Sequence, residues 1–443
     1  MRISSILAVV LGFFILFFYA QPIAPQLTEG IPTHVAFIWL IFLLFAVLWQ
    51  KVFIVVTKLT PAILFALATP ILILLYQSII SNVVISLAQI VTGIIIAIMV
   101  SSIWINCEAR NHFFKIVLLG AIASAVVSLI QFFNIHPFVW SWTEYELFVY
   151  GTAGLEKNPV PFGYSIVAIT SVITCATIML YQKKYFLPIS KAYLIFSALL
   201  LGVAIALSGA RSAIMGVAIA ALWFFLYSKK PLVGIEKVLT CRTYNFSQVH
   251  VENNAMRRRK SGSGTAIIAV IIILALVLAL KSTREGIDFQ DPRFIANWKV
   301  YLPLILRSPF APSEIESYLY LVDQDSLWLL MNEGKRAQPN APHNIILTTG
   351  IFYGVPGIIS IVTVYLLTMR KAYQISREAL KYNMCKEQLW LLALIAANIG
   401  VVCHSWFHNA NIFMGEMRNW VWIGALWGMS YYVKVQLLKN RVS

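Results

Sequence analysis

A histidine at the start of an apolar segment is the residue in this chain best placed to do chemistry. His343 is followed by Asn344, nine further residues and then Gly354 and Gly357, and the long segment before it is mostly polar. A titratable side chain where a polar loop enters a membrane-length segment is costly unless it has a partner or a function. We therefore expect His343 to act on a substrate; the alternative is a core histidine with satisfied hydrogen bonds.

Two arginines stand at similar boundaries between polar and apolar sequence. Arg211 follows the tight turn Ser208-Gly209-Ala210, and Arg293 begins a helix-like pattern that continues with Trp298. A guanidinium can hold a phosphate through two parallel hydrogen bonds. The alternatives are that Arg211 reaches to lipid phosphates and that Arg293 is a solvated arginine paired with a nearby aspartate.

If these side chains converge, they form a site for a diphosphate and a hydroxyl. The amino end of the helix that begins near His343 adds partial positive charge, which attracts an anion. That charge also disfavours an imidazolium, so His343 would stay neutral and could accept a proton. This chemistry fits transfer of a group from a pyrophosphate donor to a hydroxyl. Gly354 and Gly357 would let neighbouring helices pack closely behind the site.

The composition places these residues in a polytopic membrane protein. Hydrophobic residues make up 60% of the 443 residues and charged residues only 12%, unlike a soluble domain. Apolar segments able to cross a core of roughly 30 Å predict an all-α fold of about 12 transmembrane helices. They lie near 3–20, 34–50, 61–80, 83–104, 113–134, 160–181, 187–208, 210–227, 264–281, 344–368, 388–407 and 418–436.

The distribution of charge predicts the orientation of these helices. With the amino terminus in the cytoplasm, most of the 34 Lys and Arg residues fall on cytoplasmic segments. Residues 1–281 then hold transmembrane helices 1 to 9, with a periplasmic loop at 135–159 and a cytoplasmic loop at 228–263. Residues 282–343 form a large, partly helical periplasmic loop, and 344–443 hold helices 10 to 12 and a short cytoplasmic tail. The net charge of +16 thus reflects membrane orientation, and we expect no nucleic-acid partner.

Three other patterns could bind a metal or a nucleotide sugar, and each has a simpler explanation. His404 and His408 could share a transition metal, but polar lining at the end of a span, or a supporting role near the site, is the favoured interpretation. The Asp-x-Asp pattern at 323–325 lies on the predicted outer face, away from cytoplasmic nucleotide sugars, and is best explained by solvated acids. The 5 cysteines have no spacing typical of zinc sites or disulfides.

Together these motifs resemble those of the bacterial O-antigen ligase and polymerase superfamily. The matching residues are His343 with Asn344, Gly354 and Gly357; Arg211 with Ser212; and Arg293 with Trp298 and Arg307. Two positions depart from the family pattern. Met215 stands where a leucine is usual, and Phe310-Ala311-Pro312 stands where glycines often follow the loop proline.

This resemblance implies a metal-independent, GT-C-like glycosyltransferase of the bacterial inner membrane, without a cofactor and with its active site on the periplasmic face. Its donor would be a glycan on undecaprenyl diphosphate, and its acceptor a sugar hydroxyl of lipid A-core. It would thus act as an O-antigen ligase in lipopolysaccharide biosynthesis. His343 would be the general base, and Arg211 and Arg293 would hold the diphosphate. The expected substrate-binding residues are Asn344, Arg307, Trp298 and Lys157.

Other activities fit the same residues. An O-antigen polymerase would extend a second lipid-linked chain, and a protein oligosaccharyltransferase would use a protein acceptor. The predicted number of spans and the single dominant outer loop favour the ligase. A lipid-linked sugar transporter or flippase is the alternative from another class. It would need polar residues at the membrane midplane, whereas the distinctive polar residues here cluster at one face.

Overall fold

Every regular element in the described part of the chain is an α-helix. The computed structural model describes residues 59–76, 83–133, 152–154, 159–181, 184–229, 292–310, 342–408, 412–413 and 416–442. In chain order the helices are α1 (Pro61–Tyr76), α2 (Val83–Ile105), α3 (Cys107–Phe132), α4 (Pro159–Tyr181), α5 (Lys191–Leu207), α6 (Arg211–Lys229), α7 (Pro292–Arg307), α8 (Ile345–Lys381), α9 (Cys385–Ser405) and α10 (Met417–Val442).

These helices agree with the predicted all-α membrane fold. Among the described helices, 5 are long and apolar enough to cross a membrane, namely α3, α4, α6, α8 and α9. Helix α7 coincides with the helix predicted in the large outer loop. The predicted spans at 3–20, 34–50 and 264–281 lie outside the described residues, as does most of the cytoplasmic loop at 228–263. The total of about twelve spans therefore stays a prediction.

Large apolar side chains cover the outside of the bundle. Phe65 is 72% exposed and Leu199 is 64% exposed, and similar side chains project from α3, α6 and α8. A soluble protein rarely exposes so much apolar surface. This surface is what a bundle surrounded by lipid requires.

Short polar residues and one glycine set where several helices begin. Asn106, Ser190 and Asn344 precede α3, α5 and α8, and each side chain accepts hydrogen bonds from backbone N–H groups of the following turn. Gly209, with a φ of 71°, makes the turn between α5 and α6. The hairpin predicted at this turn is confirmed, and it leaves Arg211 as the first residue of α6.

Helix α9 lies at the centre of the bundle. Its apolar stretch is 83% buried, the highest value among the candidate spans, and it packs against α4, α6, α8 and α10. Where it crosses α6, a Cβ on Gly216 would lie 2.6 Å from the carbonyl oxygen of Gly400. Small residues let membrane helices approach this closely. One turn further along, the same crossing brings Ser212 of α6 to His404 of α9.

Helix α7 packs on the first turns of α8. Its apolar face forms a small core with α8 that consists of Ala296, Val300, Tyr301, Leu304, Ile305, Leu347 and Ile351. A Cβ on Gly350 would meet Ile305, and a Cβ on Gly354 would meet the carbonyl of Pro309. Because the contact advances four residues along each chain segment, from Ile305 to Pro309 just beyond α7 and from Gly350 to Gly354 in α8, the two segments run in the same direction.

A bend in α8 marks the place where the end of α7 docks. Gly354 has a φ of 65° and a ψ of −167°, a conformation that essentially only glycine adopts. The backbone N–H of the next residue, Val355, donates a 2.8 Å hydrogen bond to the carbonyl of Pro309. The predicted close packing at Gly354 is thus a contact between the bent backbone of α8 and the segment that ends α7.

Candidate functional site

His343 has an unusual backbone conformation immediately before α8. Its φ is 47°, in the left-handed region that few residues other than glycine adopt. Strain of this kind occurs mainly at functional positions. The His343 side chain is exposed, which disagrees with the alternative of a buried core histidine.

Asn344 ties this strained residue to the end of α9. Its side-chain oxygen caps α8 by accepting hydrogen bonds from the backbone N–H groups of Ile346 and Leu347, and its Nδ2 donates to the carbonyl of Trp406 at 3.0 Å. Asn344 is only 1% exposed. The structure therefore gives Asn344 a positioning role next to His343, and its predicted contact with substrate stays a prediction.

A serine and two histidines join α6 to the same end of α9. The hydroxyl of Ser212 lies 2.8 Å from Nδ1 of His404 and 2.8 Å from Nε2 of His408. Ser212 and His404 are buried. Since Ser212 directly follows Arg211, these two hydrogen bonds hold the first turn of α6 against the end of α9.

Aromatic packing orders the two imidazole rings. The ring centroids of His404 and His408 are 4.6 Å apart, and the ring of Tyr164 on α4 lies 4.3 Å from that of His404. Gly163 leaves the space that this arrangement needs, because a Cβ there would lie 2.7 Å from the His404 ring. Residues of α4, α6 and α9 thus form one packed cluster.

Electrostatic coupling extends this cluster to His343. Burial, followed by the nearby charge of His343, lowers the pKa of His408 to about 4. His408 is therefore neutral at neutral pH. The hydrogen bond from Asn344 to Trp406 holds the residue after His343 beside the segment that carries His408, so neighbouring residues connect His343 through His408 and Ser212 to Arg211.

The two predicted arginines stand at the same end of the bundle. Arg211 is exposed at the start of α6. Arg293 is in the first turn of α7. Since Ile305 is level with Gly350 of α8, the parallel course of the two helices places the first turn of α7 near the end of α8 that His343 precedes.

Of the other predicted substrate-binding residues, Trp298 and Arg307 lie on α7. Arg307 is exposed in the last turn of α7, about 21 Å along the helix from Arg293 at 1.5 Å per residue. Trp298 is half-buried and packs against the core between α7 and α8. Lys157 and the acidic pattern at 323–325 lie outside the described residues. The predicted contacts of these residues with substrate therefore stay predictions.

A buried ion pair at the start of α10 was not predicted from the sequence. Arg418 bonds both carboxylate oxygens of Glu416 through Nε and Nη2, and Glu416 is 8% exposed. Both charges act on Tyr164, so the pair borders the histidine cluster. The available signal was a glutamate and an arginine two residues apart at the edge of an apolar segment.

The structure gives His404 and His408 a shared partner, the hydroxyl of Ser212. A metal site at this pair would need a third ligand. Within the described residues, no three His, Cys, Asp or Glu side chains come together as a group that could hold a metal ion. His404 and His408 instead bond the hydroxyl of Ser212, and their favoured role as polar lining or as support for the site stays a prediction.

Comparison with known proteins adds no further assignment. Neither a protein-family model nor a curated protein matches this chain. The assignment of a function therefore depends on the motifs and on the geometry of the described residues.

Proposed function

We propose that this protein is an O-antigen ligase. It would transfer a glycan from undecaprenyl diphosphate to a sugar hydroxyl of lipid A-core at the periplasmic face of the bacterial inner membrane. The observation that carries the proposal is that two hydrogen bonds, Asn344 to Trp406 and Ser212 to His408, hold the strained His343 and the Arg211 turn against the same end of α9. These residues are distant in sequence, and the family resemblance assigns His343 and Arg211 to the base and the diphosphate clamp.

In this mechanism His343 acts on the acceptor. Its neutral imidazole accepts the proton of the acceptor hydroxyl as the hydroxyl oxygen attacks the anomeric carbon of the donor sugar. The bond from that carbon to the diphosphate oxygen breaks, and undecaprenyl diphosphate leaves with the bonding electrons. The reaction thus forms one glycosidic bond for each sugar-phosphate bond that it breaks.

Positive charge at the end of the bundle that holds His343 would stabilise the leaving diphosphate. Arg211 and Arg293 supply guanidinium groups, which suit phosphate oxygens. Helix α6 begins at Arg211 and helix α8 begins two residues after His343, and the amino ends of helices carry partial positive charge. Positive groups that are already in place before the reaction stabilise the charge that develops in the transition state, which is a large source of rate enhancement.

The orientation of the helices supports a site on the periplasmic face. Contacts of Ser212 and Asn344 join the starts of α6 and α8 to the end of α9. Basic residues stand at the opposite ends of α5, α8 and α9, namely Lys191, Lys381 and Lys386. Because basic ends face the cytoplasm, the cluster would face the periplasm.

Reconstituted protein tests the proposal directly. Purified protein in proteoliposomes should transfer glycan from undecaprenyl diphosphate to lipid A-core without added nucleotide or metal. Arg211→Ala should reduce this transfer at least about a hundredfold. The matched control is Arg377→Ala, which removes an exposed arginine from the other end of α8 and should leave transfer unchanged.

Other outcomes discriminate between the alternatives. Transfer to a second lipid-linked glycan in place of lipid A-core would indicate a polymerase, and transfer to a protein would indicate an oligosaccharyltransferase. Flux of the lipid-linked sugar across the proteoliposomes, with no transfer to any acceptor, would reject the enzyme and favour a flippase.

A further inference from the structure

The hydroxyl of Ser212 limits which protonation states its two histidine neighbours can adopt. A hydroxyl carries one hydrogen and two lone pairs. The Ser212 oxygen lies at hydrogen-bond distance from one ring nitrogen of His404 and one of His408. It makes no other side-chain hydrogen bond in the described part of the chain. Its single hydrogen must therefore go to one of the two imidazoles if it is to be satisfied.

This constraint couples the tautomers of the two rings. If Ser212 donates to Nδ1 of His404, then Nε2 of His408 carries the hydrogen that it donates to the serine oxygen. If Ser212 donates to Nε2 of His408, the hydrogen lies on Nδ1 of His404. If both rings presented an N–H to the serine oxygen, the hydroxyl hydrogen would have no acceptor. If both presented a nitrogen without hydrogen, one of these nitrogens would have no donor. Leaving either buried group unsatisfied is costly. The favoured states are thus complementary.

The same hydroxyl also sets the position of two sequence-distant residues. Ser212 stands beside Arg211 in the first turn of α6. His408 lies just beyond α9, two residues after Trp406, whose carbonyl accepts the hydrogen bond from Asn344 next to His343. The close crossing of Gly216 and Gly400 lies one turn below, so the Ser212 contacts continue a rigid interface.

We propose that Ser212 is a positioning residue for glycosyl transfer. Its hydroxyl holds His404 and His408 in complementary tautomers, orients the His408 ring beside His343 and fixes the Arg211 turn against the end of α9. The kinetic consequence rests on the proposed function, whereas the tautomer coupling does not. Because Ser212 is buried and its hydroxyl bonds the two imidazoles, it would act through them and not on the substrate itself.

Kinetics of two serine variants test the positioning role. Ser212→Ala removes both hydrogen bonds and should lower kcat for glycan transfer about ten- to hundredfold, with little change in KM for the acceptor. Ser212→Thr keeps the hydroxyl and should restore much of the rate. Ser228→Ala is the matched control on α6, because the hydroxyl of Ser228 bonds only the carbonyl of Phe225 in its own helix; it should leave kcat unchanged.

Nitrogen NMR of protein labelled with [15N]histidine tests the coupling without any substrate. The chain has 7 histidines, and the signals of the pair can be assigned with His404→Gln and His408→Gln. In the wild type, the bonded nitrogens, Nδ1 of His404 and Nε2 of His408, should differ in protonation. Ser212→Ala should change the shifts of both rings, and Ser212→Thr should restore them.

The two measurements separate failure of this inference from failure of the proposed function. Unchanged ring shifts and unchanged kcat in Ser212→Ala would overturn the positioning role even if the wild type transfers glycan. Changed shifts in a protein that transfers no glycan would reject the ligase and leave the tautomer coupling standing. If Ser212→Ala does not fold, loss of the complementary shifts in folded Ser212→Thr would overturn the inference.

Discussion

Replacement of Gly354 by alanine tests whether the bend in α8 holds α7 in place. Gly354 has φ 65° and ψ −167°, and a residue other than glycine pays about 1–3 kcal/mol in such a conformation. The added methyl would also lie too close to the carbonyl oxygen of Pro309. The backbone must then shift, and loss of the hydrogen bond from Val355 to Pro309 adds about 0.5–1.5 kcal/mol. We expect the free energy of unfolding to fall by about 2–4 kcal/mol.

The matched control is Gly202→Ala on α5. A Cβ at Gly202 meets no atom within 4 Å, so alanine should stabilise this helix by at most about 1 kcal/mol. Unfolding of both variants in mixed micelles with increasing SDS, followed by tryptophan fluorescence, measures the difference. Glycan transfer should also fall in Gly354→Ala, because α7 carries Arg293. Equal unfolding free energies for the two variants would refute the argument for the bend.

Two further predictions concern the residues around His343. Lowering the pH from 7 to 5 should cost about 2 kcal/mol of stability through His408, because its pKa falls from 6.5 to about 4 on folding. The folded state binds fewer protons, so this stability is complete above pH 6.5 and is lost as the pH falls toward and through 4. The difference in unfolding free energy between wild type and His408→Gln at the two pH values measures this loss, and a constant difference would contradict the buried neutral imidazole. Asn344→Ala should cost about 0.5–2 kcal/mol through loss of the cap and should also lower transfer. Asn344→Ser keeps a capping oxygen and loses the amide donor to Trp406, so equal unfolding free energies of these two variants would argue against the cap.

Local sequence patterns predicted the helices and several of their ends. Apolar segments of membrane length recur as helices, and the Ser208-Gly209-Ala210 turn separates α5 from α6 as expected. Such features depend on residues that are neighbours in the chain. The amphipathic pattern of α7 was also predictable, since its apolar positions repeat at helical spacing.

The assembly of the site was less predictable because it depends on which helices cross. The sequence placed His343 and Arg211 on the same face, yet it did not reveal that Ser212 and His408 lie between them. That arrangement follows from the Gly216 and Gly400 crossing, and neither glycine stands out because glycine is frequent in membrane-spanning helices. Tyr164 had no signal at all, since an aromatic residue in an apolar segment is ordinary.

The most direct test of the central claim is glycan transfer by His343→Asn. Asparagine tolerates the left-handed backbone conformation that His343 adopts, so the variant should fold with the wild-type free energy of unfolding, but its side-chain amide cannot serve as a general base. We expect transfer from undecaprenyl diphosphate to lipid A-core to fall at least about a hundredfold. Turnover near that of the wild type in the folded variant would contradict the role of His343 as the base.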